Sequence, residues 1–223
     1  MLIEQDGYAI LPNVFSPEKI VKLNASLESP ALPRSRGGIR HLLSRPVVAE
    51  TANDPHLLGI AQSILGDTAF PFRATLFDKS AGSNWLIIWH QDTALPVQEK
   101  HETPGWGPWS VKERVIYAHA PAEALNKILA LRLHLGNSTE ENGPLRVLPG
   151  THALGILTDE EIEHQVAERV PVHCTVARGG VVAMRPLIIH ASSKSQSTLS
   201  RKVLHIEYSS NSMVGSNLRL AFC

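Results

Sequence analysis

Apolar residues along this chain keep a helical period up to about residue 70 and a strand period beyond it. In the first part, Ser16-Pro17-Glu18 supplies a cap, a first-turn proline and a first-turn acid, and Ile20, Leu23 and Leu27 follow at helical spacing. Asp54-Pro55 repeats that start signal, and the stripe of Leu57, Leu58, Ala61, Ile64 and Leu65 runs until Gly66 ends it. The segment "DGYAILPNVF", ahead of both, has strand character. Past residue 70, short runs such as "RATLFD", "WLIIWHQD", "LALRLHLG", "PLRVLPG", "GGVVAMRP", "LIIHASS" and "KVLHIEYS" are separated by Gly, Pro, Asn and Ser. Many short strands with such spacers predict an all-β sandwich or barrel. Two helical inserts interrupt it, one near "PAEALNKI" and one at "TDEEIEHQVAER", capped by Thr158 or Asp159. The expected fold is mostly β with helical cover: a jelly roll over residues 69–223 and an N-terminal, mainly helical layer over 1–68, forming a single domain.

Within "LALRLHLG", Leu129, Leu131, Leu133 and Leu135 share one face of a strand, and Ala130, Arg132 and His134 share the other. A strand so patterned is either wet on its Arg–His face or lines a polar cavity. At "NGP", Asn142-Gly143-Pro144 reads as a tight turn in which Gly143 supplies a positive φ.

Composition narrows the function classes. Lys plus Arg and Asp plus Glu both number 21, so the formal charge is zero and neither nucleic acid nor an anionic membrane is indicated as a partner. Cys174 and Cys223 provide neither a disulfide framework nor zinc-ligand spacing, which suits a reducing compartment. The N-terminus lacks a signal-peptide pattern, and no apolar run approaches the roughly 18 residues that span a bilayer. The expectation is a cytoplasmic protein. No feature of the sequence specifies an oligomeric state.

The chemistry-bearing residues stand at strand ends. His90 and Asp92 are two apart after an apolar run, so on a strand their side chains point the same way, roughly 6.5–7 Å apart. Alone, such a pair is equally a hydrogen-bonded His and Asp. His190 ends another apolar run and supplies a third donor; two imidazoles and one carboxylate on one face of an ion form the triad of non-heme Fe(II) oxygenases. Arg201 follows eleven residues later, sharing a strand face with Val203, His205 and Glu207. It could grip a carboxylate bidentately, lie on the surface, or pair with Glu207.

Taken in order, the H-x-D pair, the distal His and the later Arg resemble the 2-oxoglutarate-dependent oxygenases, and more narrowly the phytanoyl-CoA dioxygenase family in its compact bacterial form. "DGYAILPNVFSPEKI", "LFDK" with "NWLIIWHQD", "NSTEENGPLRVLPGTH", "MRPLIIHASSKS" and "RKVLHIEYS" carry the resemblance over nearly the whole chain. It implies a double-stranded β-helix that holds Fe(II) through His90, Asp92 and His190. It further implies 2-oxoglutarate bound to the metal and, through its far carboxylate, to Arg201, with O2 as the oxidant. These four residues are the expected catalytic set. Arg132 falls where relatives often place an aromatic residue beside the cosubstrate; it and Lys79 are further cosubstrate candidates, whereas Arg73 reads as structural. Asp92 supplies a carboxylate where related halogenases have a small residue, so the implied reaction is hydroxylation, or a related oxidation, of an unactivated C–H bond in a small metabolite.

Substrate candidates are Trp106, Trp109 and Lys112, in a Gly- and Trp-rich loop after the metal pair that also leads to His119, and His134; the tryptophans otherwise anchor that loop to the barrel, and His134 otherwise reads as a hydrogen-bonded structural His like His205. "RGGIRHLL" offers Arg36, Arg40 and His41 as a lid. The competing readings are a cupin-like metalloenzyme that does not use 2-oxoglutarate and a non-catalytic jelly-roll binding protein.

Overall fold

In the computed structural model, which describes residues 2–28, 38–80 and 83–223, the change of period near residue 70 becomes a change of layer. Helices α1 (Leu2–Asp6), α2 (Pro17–Leu27), α3 (Pro46–Ala52) and α4 (Pro55–Leu65) precede the strands, apart from β1 (Tyr8–Leu11). The anticipated start signals operate. Ser16 accepts from the Lys19 backbone N–H at the head of α2, and Asp54 accepts from that of His56 at the head of α4. Two helices lacked legible signals. The five-residue α1 is too short for a periodic stripe, and α3 starts on Pro46 behind Arg45, which offers no side-chain cap.

Eleven strands follow: β2 (Phe70–Lys79), β3 (Ile87–His90), β4 (Ala94–Val97), β5 (Trp109–Lys112), β6 (Val115–His119), β7 (Ile128–His134), β8 (Leu145–Val147), β9 (Val172–Cys174), β10 (Val181–Met184), β11 (His190–Ser192) and β12 (Arg201–Ser209). The major sheet has the order β1-β10-β7-β12-β2, and the minor sheet β3-β11-β8-β9, all antiparallel. The chain moves from sheet to sheet, β2 to β3, β7 to β8, β10 to β11 and β11 to β12, which is the winding of a double-stranded β-helix. Helices α5 (Ala122–Leu125) and α6 (Asp159–Glu168) are the two inserts, and Thr158 caps α6 in a capping box with Glu161.

Strand alternation divides the core. Outward from the major sheet, Leu129, Leu131, Leu133, Leu204, Ile206 and Tyr208 pack against Ile20, Leu23, Leu57 and Ala61 of the helices. Each such fully buried aliphatic contributes about 1.5–3 kcal/mol relative to exposure. The Tyr208 hydroxyl donates to the Ala52 carbonyl (2.7 Å), tying the helical layer to the sheet. Inward, Ala130, Val182 and Met184 meet Leu145, Val147, Cys174 and Ile188 of the minor-sheet side. The Arg132–His134 face of β7 is therefore the inward one, and all seven residues of that strand are buried.

The segment read as a Gly- and Trp-rich loop contains β5, which pairs with β6 and, through it, β4 in a third sheet. Its turn residues, Glu113 and Arg114, both take positive φ (51° and 70°). Such turns normally announce themselves by Asn-Gly or Asp-Gly, and this pair carries no such signal. Among the described residues, no helix is long and apolar enough to cross a membrane.

Candidate metal and cosubstrate site

Three elements bring the metal candidates together. His90 is the last residue of β3, Asp92 lies just beyond it, and His190 is the first residue of β11, opposite His90 in the ladder. Donor atoms of the three lie within 4.8 Å of one another. Between them, Gln91 points away and is anchored: its amide nitrogen donates to the carbonyls of Gly155 (2.8 Å) and Leu187 (2.7 Å), and its oxygen accepts from Leu157 N–H (2.9 Å). The Asp92 N–H donates to the Pro186 carbonyl (2.9 Å). The strand end that presents the pair is thus fixed from behind.

The imidazoles are oriented by their own strands. His90 Nδ1 lies 2.9 Å from the Ile88 carbonyl oxygen, and His190 Nδ1 lies 2.9 Å from that of Ile188. A carbonyl only accepts, so both Nδ1 atoms carry the proton and both Nε2 atoms present a lone pair in the neutral ring. Those Nε2 atoms face the two oxygens of Asp92, at 3.6 Å from His90 and 3.5 Å from His190. Lone pairs set against a carboxylate at this distance call for a cation between them, which is the arrangement of a metal site with its orienting outer hydrogen bonds. Burial pushes the His190 imidazole down to about 4, so it is neutral and able to ligate near pH 7. Burial also opposes charge on Asp92, but His190 and His90 outweigh it and hold the carboxyl well below its usual range. Burial acts on His90 too; Asp92 overcomes it, and the net shift is upward. The donor set fits a divalent ion that takes nitrogen and oxygen ligands and keeps open positions.

The same cavity, of about 180 Å3, is lined by Arg201, Lys79 and Arg132. Lys79 and Arg201 are opposite each other in the β2–β12 ladder. Lys79 is fully buried; its ammonium donates to Ser192 Oγ (2.6 Å) and to the Ser193 carbonyl. Burial, then Arg201, Arg132 and Arg146, push it down to about 7. Arg201 is 3 % exposed, and its Nε and Nη1 have no hydrogen-bond partner among the described residues. Glu207 is not available to it, because Glu207 lies opposite Arg73 and takes that guanidinium in a two-point ion pair. Arg73 is structural in this respect, as expected, although it also reaches the cavity wall. Arg132 donates to His205 Nδ1 (3.1 Å) and lies over the Phe77 ring (5.3 Å), and its own Nε has no partner among the described residues. A buried guanidinium with unpaired donors is costly unless an anion completes it, which fits a dicarboxylate.

Other candidates are placed elsewhere. Trp106 and Trp109 pack against the apolar cluster of Phe72, Leu95 and Leu125, because the hairpin curls its apolar side onto the barrel; neither lines the cavity. His134 is fully buried and, among the described residues, neither ring nitrogen is hydrogen-bonded, so it is not the hydrogen-bonded His anticipated, and it too stays off the cavity wall. Burial, with Arg132 and Arg201 nearby, pushes it down to about 3, so it remains a neutral spacer. His119 bonds Thr93 Oγ1 through Nδ1 (2.7 Å). Lys112 and Arg40 do line the cavity, and His41 Nε2 is 2.9 Å from the hydroxyl of Tyr117, another lining residue. Arg36 falls outside the described residues.

Sequence reading missed Ser192, Gln91, Thr75, Phe77, Trp85 and Tyr117. Alternation was the available signal for Ser192, two beyond His190, and for Thr75 and Phe77, on the Arg73–Lys79 face of β2. Tyr117 had no signal.

Comparison with known proteins agrees with this architecture. Residues 3–203 match the family described as phytanoyl-CoA dioxygenase. The L-proline trans-4-hydroxylase of Streptomyces griseoviridis is 27 % identical over 242 residues, covering 92 % of this chain and 82 % of that protein. The ectoine dioxygenase of Bordetella bronchiseptica is 27 % identical over 166 residues; the match spans 67 % of this chain and 47 % of that enzyme, under half its length. Among solved structures, EctD from S. alaskensis with 2-oxoglutarate and 5-hydroxyectoine superposes with a TM-score of 0.71 at 20 % identity, over 93 % of this chain and 73 % of the other. That likeness establishes the double-stranded β-helix.

Proposed function

Because the chain belongs to the phytanoyl-CoA dioxygenase family, we propose that it is an iron(II)- and 2-oxoglutarate-dependent dioxygenase that hydroxylates an unactivated C–H bond of a small metabolite. The observation that carries this reading is the aim of the donors: two Nε2 lone pairs turned on one carboxylate, beside a buried guanidinium with unpaired N–H groups. The proline hydroxylase and the ectoine dioxygenase that it resembles are named for small molecules, which supports a small-molecule substrate here.

In this assignment His90, Asp92 and His190 would hold the iron. When bound, iron and 2-oxoglutarate supply the oxidising chemistry, in which O2 and 2-oxoglutarate give succinate and carbon dioxide while a substrate C–H becomes C–OH. The protein's part is geometric and electrostatic. The Ile88 and Ile188 carbonyls fix the two rings, and Gln91 keeps the strand end from swinging. Arg201 takes the far carboxylate of 2-oxoglutarate, with Lys79 and Ser192 beside it. Arg132, steadied by His205, adds positive charge on the metal side of the cavity. Phe77, Trp85, Ile87 and Leu145 make the wall partly apolar, which strengthens these charge contacts by excluding water.

We further infer one domain, because the helical layer and the major sheet share a single core, and a reducing cytoplasmic setting, which the two buried free thiols support. Anaerobic titration with Fe(II) and 2-oxoglutarate tests the reading directly. A weak visible charge-transfer band and 2-oxoglutarate-dependent succinate release are the expected results; folded, metal-loaded protein without either would overturn it.

A further inference from the structure

Six cations line the cavity, Arg40, Arg73, Lys79, Lys112, Arg132 and Arg201, and among the described residues Asp92 is the one acid on its wall. Charges drawn into a low-dielectric cavity need counter-charges. Glu207 serves Arg73. On the oxygenase reading, Asp92 serves the metal, and the two carboxylates of 2-oxoglutarate serve the metal and the inner cations. Arg40 and Lys112 are left over at the mouth. The nearest acid to Arg40 is Glu113, at 3.5 Å and 51 % exposed, a weak screened contact.

This mouth is built, not incidental. Ile39 and Leu76 exchange two backbone hydrogen bonds (both 2.9 Å), which fasten the segment before Arg40 onto β2. A Cβ on Gly38 would sit 2.7 Å from the Leu76 carbonyl oxygen, so a glycine is what permits that close approach. From the other side, the β5–β6 hairpin delivers Lys112, whose Nζ lies 5.0 Å from the centroid of the Tyr117 ring; Arg73 stands 5.6 Å from the same ring. His41 bonds the Tyr117 hydroxyl and so joins the two segments. Burial, followed by repulsion from Arg40 and Arg73, lowers the Lys112 ammonium, as expected where like charges gather around a space that an anion would fill.

We propose that the primary substrate carries an anionic head group, a carboxylate or a phosphate, held at the cavity mouth by Arg40 and Lys112 so that the rest of the molecule points toward His90, Asp92 and His190. This rests on the oxygenase reading of the same site, and the test separates the two.

The protein is first loaded anaerobically with Fe(II) and 2-oxoglutarate. Failure of the charge-transfer band at that step overturns the parent reading and this one with it. Calorimetry on the loaded protein then compares matched probes: hexanoate with hexanamide, benzoate with benzamide, N-acetyl-L-prolinate with N-acetyl-L-prolinamide, and glycerol 3-phosphate with glycerol. At least one charged probe is expected to bind about tenfold or more tightly than its neutral partner, as lost hydrogen bonds to charged groups predict. The arm that prefers charge identifies the head group. R40Q and K112Q should each reduce that preference, and the double variant should abolish it, while the 2-oxoglutarate dissociation constant moves less than about twofold, as for separate sites. The proposal is overturned if no charged probe is preferred, if the preference survives in the double variant, or if the substitutions weaken 2-oxoglutarate equally.

Discussion

His90 and His190 face each other in register across the β3–β11 ladder, with ring centroids 4.2 Å apart. The antiparallel pairing itself brings the two proposed ligands together, since the last residue of one strand meets the first residue of the other. The ladder is irregular immediately afterwards: Ser192 is paired with Ile87 rather than Ile88. That shift of one residue puts Ile87 and Ser192 in the cavity wall and leaves Ile88 72 % exposed.

Removing one of these imidazoles should release the metal without unfolding the chain. His190→Ala is expected to weaken Fe(II) binding by more than about a hundredfold, exceeding the effect of losing an outer orienting partner. Metal content after equilibrium dialysis and the far-ultraviolet circular dichroism of the metal-free protein measure the two halves of this statement.

Arg201 is expected to act on the cosubstrate. Truncating a buried charge that pairs with a ligand carboxylate costs about 2 kcal/mol or more, so Arg201→Ala should raise the 2-oxoglutarate dissociation constant at least about thirtyfold. Arg201→Lys should recover part of the loss, because a point charge lacks the two-point fork. Titration of the charge-transfer band reads both variants. Unchanged affinity in the alanine variant would exclude Arg201 as the partner of the far carboxylate.

Lys79 gives a pH signature. Its folded-state value, about 7, lies below the ordinary 10.5, so between those limits the unfolded chain binds more protons than the folded one. Stability of the ligand-free protein should therefore rise with pH across that window, and the penalty for the buried charge is greatest below it. Lys79→Met removes the contribution. Urea midpoints from pH 6.5 to 10 should climb less steeply in the variant, whereas parallel curves would exclude Lys79 as the source.

Gly143 holds a turn that supports the metal strand. Its φ is 67°, and a Cβ there would lie 2.3 Å from the Ser193 carbonyl oxygen. Gly143→Ala should cost roughly 1–3 kcal/mol from the backbone conformation alone. The clash adds to this and disturbs the Ser192–Ser193 pair that holds Lys79. A lowered melting temperature together with weaker 2-oxoglutarate binding is the expected result; a variant as stable as the parent would contradict it.

Much of this was legible because periodicity is local. Three leucines of β7 had to face one way, which forced Arg132 and His134 the other way. Ser16 and Asp54 announced their helices, and the order of His90, Asp92, His190 and Arg201 indicated the chemistry. For Trp106 and Trp109 the local pattern leaves substrate contact and anchoring equally open, because a large amphipathic ring fits a substrate mouth and a barrel's apolar end alike; the structure packs both against the cluster of Phe72, Leu95 and Leu125. Glu113-Arg114 hid a hairpin, since nothing in those two side chains favours positive φ.

The sequence by itself determined which residues share a strand face, where helices begin, and which donors and cations the chain possesses, because each follows from neighbours a few positions apart. Tertiary structure alone decided which cations remain unpaired. The sequence leaves open whether Glu207 pairs with Arg201, on its own strand face, or with another cation. Antiparallel register sets Glu207 against Arg73 and sets Lys79, itself a cation, against Arg201, so one guanidinium is neutralised within the protein and the other is left for a ligand.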